Sequence, residues 1–438
     1  MKKCVTAIVG SKWGDEGKGK VASYEAQDAV YVCKGNGGAN AGHSVIINGE
    51  NTPLHHIPGG IAYPGTTALI GPGTVIDLPV LLQEIALLQD RGVFDILERL
   101  KISGNAHVVL PSHKKMDSLC EEFRTNPIGT TKRGIGPCYA DKHYRVGVRM
   151  YDLLLDSTTL KKKIKEATQI HRILFAQSNM AHDYIPSVLA YNSAAKNLSQ
   201  IGALLSNCIT DIEPIIANAI ERGDKIVIEG AQAYRLDIDH GDYPMVTSSN
   251  TVTAGLLAGM GIPPQALKEA IGIDKAYNSR VGNGIFPTEC CSNEGNIIRN
   301  LGHEFGTTTG RPRRCGWMDV VPLRSAKYTC GLDCLCINHL DTLGKISLEL
   351  GSVKVCTAYK YKGHVIDYFP QNLDCTSSIV PVYTEIVGKW ALDEHCTSFE
   401  DLPELAQSFI ELVEETSGLP VKYIGTGPSN DDLIIRNL

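Results

Sequence analysis

The chain has 438 residues, 43 of them Gly and 21 Pro, and is 43% hydrophobic, so there is apolar material for a large core and disordered or fibrous classes are excluded. Lys and Arg total 42 against 48 Asp and Glu, a formal charge of −6, which argues against a protein that sheathes phosphate backbones; no nucleic-acid partner is expected. Gly stands above the ~7% usual in proteins, a sign of tight turns and of backbone brought close to a ligand.

Lys2-Lys3 before the apolar Cys4 to Val9 faintly mimics a secretory leader, but the run is short and enters a glycine turn, so a buried first strand is expected. No apolar run reaches the ~18 residues of a membrane span, and a cytoplasmic protein with no membrane partner is expected. The 14 Cys are spread without a small-domain framework and read as reduced thiols; Cys330, Cys334 and Cys336 lack the second CxxC pair of a structural zinc site.

β-branched runs are predicted as strands at Val5 to Val9, Ala29 to Cys33, Ala68 to Ile70, Val108 to Leu110, Ile226 to Glu229, Cys334 to Asn338 and Val421 to Ile424. Helical patterns fall between them, at Lys18 to Ala26, Leu78 to Arg91, Thr159 to Gln177, Ser187 to Arg222 with breaks, and Leu402 to Thr416. The alternation predicts an α/β fold, a mostly parallel central sheet wrapped by helices. Antiparallel decorations are expected at Val45 to Leu54, around Asn48-Gly49, and at Val353 to Tyr368, around Lys362-Gly363. No linker or repeat is visible, so residues 1–438 are read as one elaborated domain.

Between the first strand and the helix from Lys18 lies Gly10-Ser11-Lys12-Trp13-Gly14-Asp15-Glu16-Gly17-Lys18-Gly19-Lys20. A glycine turn there offers backbone N–H groups to phosphate at a helix N-terminus, which makes the fold P-loop NTPase-like. The loop is two residues longer than a standard P-loop, and Gly19 replaces the Ser or Thr that holds magnesium. Asp15 is then the obvious carboxylate for the metal.

Lys34 to His43 follows the second strand with Asn40 and His43 among small residues, where open α/β sheets bind ligands. His43 is a candidate catalytic imidazole. Asn338-His339-Leu340-Asp341 is similar to the Asn-Lys-x-Asp element of GTP-binding proteins, in which one carboxylate accepts from two guanine N–H groups. Thr307-Thr308-Thr309-Gly310-Arg311-Pro312-Arg313-Arg314 reads as an anion clamp.

With Ile128-Gly129-Thr130-Thr131, Asp237-Ile238-Asp239-His240-Gly241, Tyr243-Pro244, Val246 to Asn250 and Gly425-Thr426-Gly427-Pro428, these segments closely resemble the adenylosuccinate synthetase family across essentially the whole chain. The resemblance implies a carbon–nitrogen ligase of purine nucleotide biosynthesis. It joins IMP and L-aspartate with GTP and Mg2+, through a phosphoryl-IMP intermediate, to give adenylosuccinate, GDP and phosphate. Asp15 takes the role of general base and His43 that of acid. Asp15 and the backbone of Gly42 are implied as metal ligands.

By the same resemblance GTP falls to Gly14, Asp15, Glu16, Gly17, Lys18, Gly19, Lys20, Gly42, His43, Ser44, Arg313, His339, Leu340, Asp341, Gly425, Thr426 and Gly427. IMP falls to Asp15, Glu16, Gly17, Lys18, Asn40, Ala41, Gly42, His43, Thr131, Gln232, Thr247 and Arg311, with Arg145 reaching in from the other subunit of a homodimer. Aspartate falls to Thr307, Thr308, Thr309, Gly310, Arg311, Pro312 and Arg313. The chain departs from the family pattern at His339, where many relatives have Lys, at Gly425 in place of a common Ser, and at Pro312 and Lys132.

Overall fold

Every second residue of Val5–Gly10 enters the same core. Val5, Ala7 and Val9 pack into one hydrophobic cluster while Ile8 packs into another, the two-residue period of a strand covered on both faces. The same division separates Ile226 and Ile228 from Val227, and Leu335 and Ile337 from Cys334 and Cys336. The structure is a computed structural model that describes residues 1–176, 188–305, 310, 312–371, 378–393, 396–429 and 431–437.

Among the described residues ten strands form the central sheet, in the order Leu433–Ile435, Val421–Gly425, Cys334–Asn338, Leu267–Lys275, Val5–Gly10, Ile226–Ala233, Tyr31–Lys34, Thr67–Ile70, Leu100–Ser103 and Ile209–Thr210. All neighbours are parallel except Leu433–Ile435, which runs antiparallel on the edge. The expected helix Lys18–Ala26 forms, as do Leu78–Asp90 and Glu404–Ser417. The long patterns break into Ser157–Ala167 and Gln169–Ala176, then Val188–Leu204 and Glu213–Arg222. Both decorations are present: His43–Ile47 pairs with Glu50–Leu54, and Ser352–Tyr361 with His364–Ile366 inside a separate five-stranded sheet.

One expected strand needs correction, and several strands, Ile209–Thr210 inside the expected helical pattern Ser187 to Arg222 among them, were not anticipated. Val108 to Leu110 is not a strand of the central sheet: His107–Val108 pairs only with Val75–Ile76, and Leu110 caps the helix Pro111–Phe123. Leu267–Lys275, which lies beside Val5–Gly10 at the centre of the sheet, was not anticipated because its charged residues obscure the apolar pattern. Cys334 and Cys336 belong to one core cluster and Cys330 to the other, so these thiols do not converge. No described helix is long and apolar enough to cross a membrane.

Candidate functional site

The parallel strands Val5–Gly10, Tyr31–Lys34, Cys334–Asn338 and Val421–Gly425 deliver their loops to the carboxyl edge of the sheet, where such folds bind ligands. Gly10 cannot carry a side chain: a Cβ there would lie 2.7 Å from Ala233 Cβ and 2.9 Å from Glu16 Oε2. Gly17, the N-cap of Lys18–Ala26, is left-handed at φ 80°, and a Cβ on it would lie 2.9 Å from Asn338 Nδ2.

The two acids of this loop divide the work. Glu16 is buried and turned inward, accepting from the Gly14 N–H at 2.7 Å and from Lys18 Nζ at 2.8 Å. Asp15, at φ 59°, turns outward with its side chain 45% exposed. Beneath the loop, Lys12 reaches Asn278 Oδ1 at 2.7 Å and Asp274 at 2.9 Å, both ionic side chains being 2% exposed. Burial pushes the Asp274 carboxyl up to about 6 against the pull of Lys12. Lys20 donates to the carbonyls of Gly427, at 2.8 Å, and Asp432, at 2.6 Å, so it fastens the first helix to the C-terminal loop.

Asn338 joins two elements that lie far apart in sequence: its Nδ2 donates to the Glu16 carbonyl at 2.7 Å. The residue after it, His339, is left-handed at φ 64° and caps Leu340–Leu350. Burial, with Lys275 adding to it, pulls its imidazole down to about 4, so the ring is neutral at pH 7; it meets Tyr277 edge-on at 5.6 Å. Asp341 sits in the first turn of that helix, 3.3 Å from Lys345. Gly425 packs directly on Asn338, since a Cβ would lie 2.5 Å from its Oδ1.

In the second loop Asn36 bonds to both the N–H and the carbonyl of Ala231, at 2.9 and 3.1 Å, tying Lys34–His43 to the Gln232 segment. Asn40 Nδ2 donates to Thr247 Oγ1 at 3.3 Å, while its Oδ1 is buried with no protein partner. An orphaned acceptor at such a place is costly unless a ligand donor meets it. Gln232, at φ 69°, lies within an irregularity in the pairing of its strand.

His43 Nε2 lies 3.0 Å from the Ile57 carbonyl, which can only accept, so that nitrogen carries a proton. Nδ1 faces Glu229 Oε1 at 3.5 Å. Burial lowers the imidazole pKa, with Glu229 opposing. Glu84 fixes the segment behind it, its carboxylate accepting from the N–H groups of His55, His56 and Ile57 at 2.8 to 3.1 Å.

Thr131 and Arg145 are exposed at either side of the helix Ile135–Tyr144, with Arg145 left-handed at φ 63°. Thr307, Thr308, Thr309 and Arg311 lie outside the described residues. The flanks of that segment are described: Phe305 pairs with Pro312, and Arg313 N–H donates to the Glu304 carbonyl at 2.9 Å. Glu304, Lys12, Asp274 and Asn36 hold the site together and were not singled out from sequence; each is a lone polar residue whose partner is distant in the chain.

The family model described as adenylosuccinate synthetase matches residues 7–434. The adenylosuccinate synthetase of Acetivibrio thermocellus is 44% identical over 98% of this chain and 99% of its own, and that of Heliobacterium modesticaldum 42% over 98% and 97%. A solved, fully ligated adenylosuccinate synthetase from Plasmodium falciparum superposes with a TM-score of 0.87 at 33% identity, covering 99% of this chain and 100% of that one. With the loops on one sheet edge and the match running through nearly every element that carries them, the chain belongs to the adenylosuccinate synthetase family of ligases.

Proposed function

We propose that the protein joins IMP and L-aspartate at the expense of GTP, releasing adenylosuccinate, GDP and phosphate. The observation that carries the reading is the Asn338 amide on the Glu16 carbonyl, which makes the guanine element and the phosphate loop a single unit. A nucleoside triphosphate with a guanine base spans those two elements, and the loop of Asn40 and His43 beside them supplies a second, separate pocket.

The purine carbonyl oxygen is a very poor leaving group until phosphoryl transfer caps it. Asp15, outward and reachable, takes the proton from the adjacent ring nitrogen and so makes that oxygen nucleophilic. His43 donates toward the transferring phosphoryl group and then toward the departing phosphate as the aspartate amine displaces it. Gly14 to Lys20, with Gly42, His43 and Ser44, hold the triphosphate; His339, Leu340 and Asp341 with Gly425 to Gly427 hold the base. Asn40, Thr131, Gln232 and Thr247 hold IMP.

The donor set fits a hard cation, since Asp15 presents an exposed carboxylate and Gly42 lies in an exposed stretch of loop. Bound Mg2+ supplies charge neutralisation across the phosphates. Arg145 extends to the IMP site of a second copy in a homodimer, and the Thr307–Arg313 loop receives aspartate.

The test is product formation from purified protein with each component omitted in turn. Succinylated purine should form only with IMP, GTP, Mg2+ and aspartate together. GTP loss indifferent to aspartate and IMP overturns the reading in favour of a GTP-driven switch, and phosphorylated nucleotide as the released product in favour of a kinase.

A further inference from the structure

On the helix Pro111–Phe123, three side chains spaced four residues apart hold the same stretch of chain. Glu121 accepts from the N–H groups of Ile128, Gly129 and Thr130, at 3.1, 2.8 and 3.2 Å. Asp117 accepts from the N–H of Gly134 at 2.9 Å. His113 Nε2 lies 2.9 Å from Asp141 Oδ2, and Asp141 Oδ1 also meets His171 Nε2 at 3.2 Å. A helix returns every fourth residue to one face, so the periodicity makes this a continuous strip. Gly134 permits the close approach: at φ 76°, a Cβ there would lie 2.7 Å from Lys114 N.

His113, Asp141 and His171 are buried and gathered as a metal site would be. The hydrogen bonds contradict that reading. The Leu110 N–H donates to His113 Nδ1 at 2.9 Å, so Nε2 carries the proton and has no lone pair for a metal. The cluster is a clasp between helices. Similarly, burial pushes the Glu121 carboxyl up but the amides of Gly129, Thr130 and Ile128 outweigh it and hold it below its usual range; the charged form is the one that grips the loop.

What the strip holds is the stretch from Ile128 to Asp141; it contains Thr131, which takes IMP under the function proposed above, and leads to Arg145, which reaches a second copy. We propose that Glu121, Asp117 and His113 are positioning residues for IMP recognition, keeping an otherwise exposed loop in its binding arrangement before the ligand arrives. This rests on the proposed function for its ligand. A loop ordered in advance binds with its intrinsic affinity, whereas one competent only a tenth of the time binds about tenfold more weakly.

The experiment uses the full chain and the variants Glu121→Ala and Glu121→Gln, with IMP and GTP affinities by calorimetry, kcat, and amide exchange over 128–130. Glu121→Ala should weaken IMP about tenfold, leave GTP affinity unchanged and speed exchange at 128–130. Glu121→Gln, which keeps an accepting oxygen, should fall between. Wild-type IMP affinity in Glu121→Ala overturns the inference whether or not exchange quickens, and so does equal weakening of IMP and GTP, the mark of general damage. Should Glu121→Ala fail to fold, Asp117→Asn carries the same test with exchange read at Gly134. A wild-type protein that does not bind IMP at all overturns the proposed function itself, a result distinct from a variant that binds as well as its parent.

Discussion

Arg313 holds Asp15 across the mouth of the first loop, its Nη2 3.1 Å from the carboxylate, while Nη1 lies 2.8 Å from Glu304. The residue assigned as base is thus paired, and its partner is anchored from behind by an acid that is 2% exposed. Asp15→Asn removes the proton acceptor without changing the shape of the loop, because Glu16 and Asn338 brace it independently. Turnover should fall by about 10² to 10⁴ while IMP affinity survives. Single-turnover rates beside calorimetric IMP binding check this; a near-normal rate refutes the base assignment.

Glu304 also sets an acid limit on stability. Burial alone would raise its carboxyl; Lys275 first, at 2.6 Å, and then Arg313 overcome burial and bring it to about 2. Because the folded value lies below the ordinary glutamate value, the contribution is complete above that ordinary value and is lost as pH falls through about 2. The shift corresponds to about 3 kcal/mol. Denaturant midpoints measured between pH 5 and about 2 should fall more steeply for wild type than for Glu304→Gln; parallel curves would show that the pair contributes nothing.

Much of this arrangement was legible in the chain because the signals are local. The helix Lys18–Ala26 follows directly from the glycine turn before it, and Cys334–Asn338 stands out as a short apolar run. Leu267–Lys275 was hidden because Lys268, Glu269, Asp274 and Lys275 interrupt its apolar residues. Asp274 and Lys275 find their partners in Lys12 and Glu304, contacts that no sequence window spans. Glu84 is similar: within an apolar helix it reads as a solvated position, and only folding brings the amides of 55–57 onto its carboxylate.

Glu84→Ala therefore strands three backbone N–H groups at a site where the parent side chain is 3% exposed. With one buried unsatisfied donor costing ~1–3 kcal/mol, and some relief by water, a loss of about 3 kcal/mol is expected. Chemical denaturation reads it. The same variant loosens the Ile57 carbonyl that His43 donates to, so kcat should fall in the fraction that remains folded.

The family resemblance sets Gly425 in place of a common Ser, and introducing that side chain should harm this protein. The added Cβ would lie 2.5 Å from Asn338 Oδ1 and 3.1 Å from its Cα, so Asn338 must move and release the Glu16 carbonyl. Losing a hydrogen bond of about 1.4 kcal/mol corresponds to about tenfold in affinity. In Gly425→Ser the KM for GTP should rise by about that factor with the KM for IMP unchanged. A lower KM for GTP would mean that the hydroxyl finds the nucleotide and that Asn338 yields without cost.

Asp341 gives the sharpest test of base choice. Its side chain is 21% exposed and its partner Lys345 is more exposed still; a surface pair of this kind contributes only ~0.3–0.5 kcal/mol, so the carboxylate is cheaply released to an incoming base. A carboxylate accepts from two N–H groups at once, whereas an asparagine amide offers one acceptor and places a donor against the other. Sites built on such paired bonds reject analogues strongly. Asp341→Asn should therefore reduce the GTP-over-ATP ratio of kcat/KM by about 10²-fold or more, chiefly through GTP, while the helix Leu340–Leu350 keeps its stability. If discrimination against ATP is unchanged in that variant, the carboxylate does not read the base, and the guanine reading of Asn338 to Asp341 fails even though the family assignment stands.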